Sequence, residues 1–90
     1  MNRIVVFTDP YCGPCGMVKK YFAHMKDERA KDIEIVSLYD DLEYARKYGV
    51  TRTPVLIVIN EKGGMIDKVV GGQPITQNIR RILEEYHGKN

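Results

Sequence analysis

The chain opens on a short unbroken apolar run, Ile4-Val5-Val6-Phe7, which is rich in β-branched residues and is cut off by Thr8-Asp9-Pro10. Consecutive apolar side chains point to both sides of an extended chain, so the run predicts a strand buried on both faces. From Pro14 the spacing lengthens. Val18, Tyr21, Phe22 and Met25 recur at intervals of three and four, with Lys19, Lys20 and Lys26 largely off that stripe. This predicts an amphipathic helix with Tyr21 and Phe22 in the core. Ile33, Ile35 and Leu38 mark a second strand near residues 33–38. Asp40 or Asp41 then caps a short helix that carries Leu42 and Ala45 and ends at Gly49.

Pro54-Val55-Leu56-Ile57-Val58-Ile59 is the most apolar stretch of the chain, and its length and branching predict a central strand. Asn60 to Gly64 reads as a turn, and Met65 to Val70 as the antiparallel return. Gly71-Gly72 breaks that strand. Ile75, Ile79, Ile82, Leu83 and Tyr86 then form the apolar stripe of a last helix. The order β-α-β-α-β-β-α predicts an α/β fold with a four-stranded mixed sheet and helices on both faces. The first βαβ unit is parallel and right-handed, and the last two strands form a hairpin.

Ninety residues suffice for one domain, here taken as 1–90, with a modest core and little room for a second module. The chain is 43% apolar and 29% charged with a formal charge of +2, and its acids and bases are interspersed, which gives no reason to expect nucleic acid or an anionic membrane as a partner. No apolar run approaches the roughly 20 residues that cross a bilayer, and Met1-Asn2-Arg3 does not lead into a signal-like segment. The expectation is a cytoplasmic protein and, with every apolar stripe accounted for, a monomer.

In that compartment a cysteine pair is catalytic or metal-binding before it is a structural staple. Both cysteines lie in one C-x-x-C, Cys12-Gly13-Pro14-Cys15, between a predicted strand and a predicted helix. A zinc site would need further soft ligands. His24 and His87 are the only candidates, and they sit in separate helices without paired spacing, so no metal is expected. The strand–C-x-x-C–helix context reads as a redox pair. Gly13 permits a tight turn, and Pro14 suits the first helical turn, where its missing N–H is not needed. Cys12 is then left at the helix N-terminus, where unpaired N–H groups and the helix dipole stabilise a thiolate. A free thiol has a pKa near 8.5, and this setting lowers it. Cys12 would attack a substrate disulfide and Cys15 would resolve the mixed disulfide, with no cofactor beyond an external electron source. His24 and His87 themselves are expected to be solvated, without an acid–base partner.

These residues resemble the thioredoxin superfamily. Cys12-Gly13-Pro14-Cys15 with Met17 is similar to the thioredoxin active site, and Tyr48-Gly49-Val50-Thr51-Arg52-Thr53-Pro54 resembles the segment leading to the family's cis-proline. Gly71-Gly72 sits where the family has a glycine loop beside the cysteines. The resemblance implies a minimal thioredoxin, glutaredoxin-like fold and a protein-disulfide reductase. It also implies a cis Pro54 packed against the cysteine pair, and Thr53 offering backbone hydrogen bonds to an extended substrate. Tyr11 stands where thioredoxins carry tryptophan and is assigned to the docking surface, with Thr53, Pro54, Gly71 and Gly72. Disulfide-bearing proteins are the implied substrates, and a thioredoxin reductase or glutathione the implied electron source.

The chain departs from the thioredoxin pattern in two ways. It begins at the strand before the cysteines, a shorter plan that resembles glutaredoxins. Val6 occupies the position of the family's buried acid, so proton transfer to Cys15 would rely on water. Asp9, read as part of an exposed loop, is not given that role. A glutathione-dependent oxidoreductase is the alternative, although Gln73-Pro74 after the glycines lacks the acid that glutaredoxins use there. A redox-linked peptide-binding module, with an apolar rim of Tyr11, Met65 and Gly72, is the alternative of a different class.

Overall fold

The structure, a computed structural model, describes residues 1–89. The elements are β1 (Arg3–Thr8), α1 (Gly13–His24), a 3-10 turn (Glu28–Asp32), β2 (Glu34–Ser37), α2 (Leu42–Lys47), β3 (Val55–Ile59), β4 (Met65–Val70) and α3 (Gly72–Tyr86). They form one sheet in the order β2-β1-β3-β4. β1 runs parallel to β2, and both the β1–β3 and β3–β4 pairs are antiparallel. The expected order and the four-stranded mixed sheet are therefore present. The 3-10 turn is an addition, begun by Asp27, whose carboxylate accepts from the Arg29 N–H at 3.0 Å.

β1 and β3 are the inner strands, which is why their apolar runs are continuous: Ile4 to Phe7 and all of β3 are buried. Alternate side chains feed two separate layers. Ile4, Val6, Leu56 and Val58 pack with Val18 and Phe22 of α1 and with Ile75, Ile79, Ile82 and Leu83 of α3. Val5, Phe7, Val55, Ile57 and Ile59 pack with Ala45 of α2 and with Tyr48 and Val50 just after it. Burying each of these large side chains contributes roughly 1.5–3 kcal/mol before the entropy of ordering it is subtracted.

The short elements depend on local polar contacts. Asp41, one of the two expected caps, accepts from the Tyr44 N–H at 3.0 Å at the start of α2. Gly49, at φ +68°, carries the chain out of that helix in a left-handed conformation that suits glycine. In the β3–β4 turn the Asn60 side chain accepts from the N–H groups of Lys62 and Gly64.

Three apolar residues of the predicted elements lie at the rim of the interior, among them Tyr21, expected in the core. Tyr21 turns outward from α1 and is 37% exposed. Leu42 is exposed on the first turn of α2, and Ile35 is exposed on β2, an edge strand of the sheet. Tyr86 is half-buried, packs against the α1–α3 layer, and donates its hydroxyl to Asp67 at 2.9 Å.

Candidate active site

β1, β3 and β4 end or begin together at one end of the sheet. Phe7 lies opposite Val55, and Val55 opposite Val70. Three loops therefore emerge side by side: the segment after Thr8 that carries the cysteines, the Thr53-Pro54 segment entering β3, and Gly71 leaving β4.

The first loop is pinned by Asp9. Its carboxylate accepts from the Tyr11 N–H at 2.7 Å and its carbonyl accepts from the Cys12 N–H at 3.1 Å. Asp9 thus shapes the turn, as its place in the turn-forming Asp9-Pro10 pair predicts. Cys12 is the N-cap of α1, with extended backbone dihedrals, and its Sγ accepts from the Cys15 N–H at 3.3 Å. Pro14 falls in the first turn of the helix. Cys12 and Cys15 are joined in a disulfide with Cα atoms 5.3 Å apart. Cys12 is partly exposed, whereas Cys15 is 1% exposed. Val6, at the position of the family's buried acid, is fully buried in an apolar layer. Among the described residues no carboxylate is hydrogen-bonded to either sulfur.

The Thr53–Pro54 peptide bond is cis, Thr53 is half-buried and Pro54 is buried. The Pro54 carbonyl accepts from the Gly71 N–H at 2.9 Å, tying the second loop to the third. Gly71 has φ +101° and leads into Gly72, the first residue of α3. A Cβ on Gly72 would lie 3.0 Å from the Pro14 Cβ and 3.0 Å from Met17 Cε. The glycine at this position is what lets α3 approach the cysteine helix so closely. Met17 continues the cysteine motif. Here it also lines the junction between α1 and α3.

Tyr11 is 89% exposed beside Cys12. The expected rim of Tyr11, Met65 and Gly72 does not form. Met65 pairs with Ile59, at the end of the sheet opposite to the Val55–Val70 pair. Its sequence proximity to Gly71 is undone by the direction of β4. The histidines also differ from expectation in part: His87 Nε2 lies 2.7 Å from Asp32 Oδ2, so it has an acidic partner, while His24 Nδ1 is 2.8 Å from the Lys20 carbonyl. His24 ends α1, at the far end of the helix from Cys12.

A partly exposed cysteine at a helix N-terminus, joined in a disulfide to a buried partner, on a four-stranded mixed sheet with helices on both faces, defines a thiol–disulfide oxidoreductase of thioredoxin-like fold. The thioredoxin family model matches residues 1–85, and the chain belongs to the thioredoxin family. It is 34% identical over 86 residues to a thioredoxin of Synechocystis sp., an alignment covering 92% of this chain and 78% of that protein. It is 29% identical over 83 residues to the SPbeta prophage-derived thioredoxin-like protein YosR of Bacillus subtilis, covering 92% of this chain and 96% of that one. Among solved structures, the Malassezia sympodialis thioredoxin superposes with a TM-score of 0.76 at 21% identity, over 93% of this chain and 73% of that one. The reduced Schistosoma mansoni thioredoxin superposes with a TM-score of 0.74 at 26% identity, over 94% and 78%. Likeness to thioredoxins does not favour the glutathione-dependent alternative. The family acts on disulfide substrates and works with thioredoxin reductase. No helix among the described residues is long and apolar enough to cross a membrane.

Proposed function

We propose that this chain is a single-domain dithiol reductant of protein disulfides in which Cys12 is the nucleophile and Cys15 the resolving thiol. The observation that carries this reading is the asymmetry of the pair: Cys12 is partly exposed at the N-cap with the Cys15 N–H directed at its sulfur, and Cys15 is buried beneath it. In the reduced protein that N–H and the helix dipole favour the Cys12 thiolate.

The Cys12 thiolate attacks one sulfur of the substrate disulfide. A mixed disulfide forms, and the departing substrate thiolate takes a proton from solvent. Cys15 loses its proton to water and attacks the Cys12 sulfur, releasing the second substrate thiolate, which is protonated in turn. The substrate gains two electrons and two protons, and the pair is left as the Cys12–Cys15 disulfide. A donor dithiol then reduces the Cys12–Cys15 disulfide by two successive exchanges, through a mixed disulfide with Cys12, and leaves as its own disulfide. Thr53 offers its backbone to an extended substrate, with Pro54, Gly71, Gly72 and Tyr11 forming the surrounding surface, and Gly13 and Pro14 shape the turn. The linking of Pro54 to Gly71 and of Gly72 to Pro14 supports that grouping. The working setting is the cytoplasm, with the chain as a monomer and a thioredoxin reductase as electron source.

Two variants test the assignment. Cys12→Ser is expected to abolish reduction of insulin, and Cys15→Ser to accumulate a mixed disulfide with substrate visible by intact mass. Insulin reduction by Cys12→Ser protein would overturn the choice of nucleophile. A titration in glutathione buffers tests the electron source. Interconversion only between dithiol and internal disulfide, near roughly −270 mV, supports the reductase, whereas a stable glutathione adduct near about −200 to −230 mV supports glutathione.

A further inference from the structure

An open groove of about 800 Å³ runs along α1 from Met17 to His24 and onto the segment just after the helix, with Arg80 of α3 on its other side. It begins at Met17, beside Gly72 and Pro14, and follows the α1 surface past Lys20, Tyr21 and His24 toward Lys26. Met17 to His24 covers roughly 10 Å of helix axis. Arg80 contributes the α3 wall. Tyr21, whose helical spacing suits a core position, is instead a wall of this groove.

The charge of the groove is one-sided. Lys20, Lys26 and Arg80 are exposed, and among the described residues none of them forms an ion pair. Asp27 is the one acid in its lining, and both of its oxygens are held by the Arg29 guanidinium. α1 contains no acid, and the acids of α3, Glu84 and Glu85, are engaged by Arg29 and Arg81. The lining thus carries three cations, Lys20, Lys26 and Arg80, against the single acid Asp27, around apolar Met17, Tyr21 and Met25. Cations concentrated in a concave surface attract and orient an oppositely charged partner.

We propose that this groove docks an acidic segment of the redox partner protein. The partner's disulfide is exchanged at Cys12 while the segment lies along α1, so that partner choice is made beside the cysteines and not at them. This rests on the reading of the cysteine pair as the exchange site. The occupant is a protein segment because any protein presenting a disulfide to Cys12 must come close to Pro14 and Gly72, where the groove starts.

The test uses a fluorescein-labelled peptide with a run of glutamates and no cysteine, its glutamine counterpart, and a single-stranded oligonucleotide of matching charge. Each is titrated by anisotropy into the oxidised protein at low salt. The glutamate peptide is expected to bind about tenfold or more tightly than the glutamine peptide, and Lys20→Glu/Arg80→Glu to remove that preference. Lys62→Glu/Lys89→Glu makes the same change in net charge at the other end of the sheet and is expected to leave the preference within about twofold. Lys20→Gln/Arg80→Gln replaces the reversal if the latter fails to fold. No preference for glutamate, equal loss in the two reversals, or tighter groove-dependent binding of the oligonucleotide would each overturn the proposal. Because the peptide has no sulfur, its binding is independent of the thiol chemistry. Insulin reduction measured on the same samples reports separately on the reading of Cys12 and Cys15.

Discussion

At Gly72 the backbone of α3 passes so close to α1 that a single methyl group decides the contact. An added Cβ would meet the Pro14 Cβ and the Met17 Cε at 3.0 Å each. Met17 can swing away, but Pro14 is held in its ring. Gly72→Ala is therefore expected to lower stability by about 1–3 kcal/mol in urea unfolding, the cost typical of overpacking. A value near zero would mean that α3 shifts freely at its start. Asp27 gives a pH-dependent counterpart. Hydrogen bonds from the Arg29 side chain, and then from its backbone N–H, hold the Asp27 carboxyl at about 2, below its ordinary 3.8. A lowered carboxyl pKa stabilises the folded state above the unfolded value, and that contribution is lost as the pH falls through the folded one. Asp27→Asn retains an oxygen to cap the 3-10 turn while removing the charge. The stability gap between wild type and Asp27→Asn should thus be constant at neutral pH and close between about pH 4 and about pH 2. A gap that persists to pH 2 would point to the shape of the carboxylate and not its charge.

At the scale of elements, α3 is the clearest case of pattern becoming packing. Ile75, Ile79, Ile82 and Leu83 are all fully buried on one stripe against β1, β3 and α1. Ile79→Ala should cost about 2–5 kcal/mol by urea unfolding, since the lost methylenes leave a cavity that the inner strands cannot collapse to fill. α2 is held differently. It has only six residues and buries Ala45, so its Asp41 cap carries more of its stability. Asp41→Ala should cost about 0.5–2 kcal/mol, and a smaller loss would show that Tyr44 and Tyr48 alone hold the helix in place. The strand and helix runs were legible because burial on one or both faces imposes a period on the side chains. The 3-10 turn at Glu28–Asp32 was not, since it buries little besides Ala30 and rests on the Asp27–Arg29 contacts. The exposure of Tyr21 was not legible either. Its spacing suits the α1 stripe, but α3 meets α1 along Val18 and Phe22 and leaves Tyr21 on the open side.

Over the whole molecule, the two apolar layers share β1 and β3, so neither can be lost while the other stays packed. Urea unfolding followed by tyrosine fluorescence and by far-ultraviolet circular dichroism should coincide in one transition. Separated midpoints would mean that the α2 layer opens first. The sequence by itself determined the order of elements, the inner strands, the C-x-x-C at a helix N-terminus and the glycine pair. Each of these follows from a local requirement: a period of burial, a cap, or a turn that needs glycine. Only the tertiary structure decided which loops meet. The antiparallel placement of β3 between β1 and β4 brings Pro54, Gly71 and the cysteine loop to one end and sends Met65 to the other. Likewise the approach of α3 to α1 gathers Lys20, Lys26 and Arg80 around one groove. Residues far apart in the chain meet through strand direction and helix packing, which no local pattern of side chains encodes.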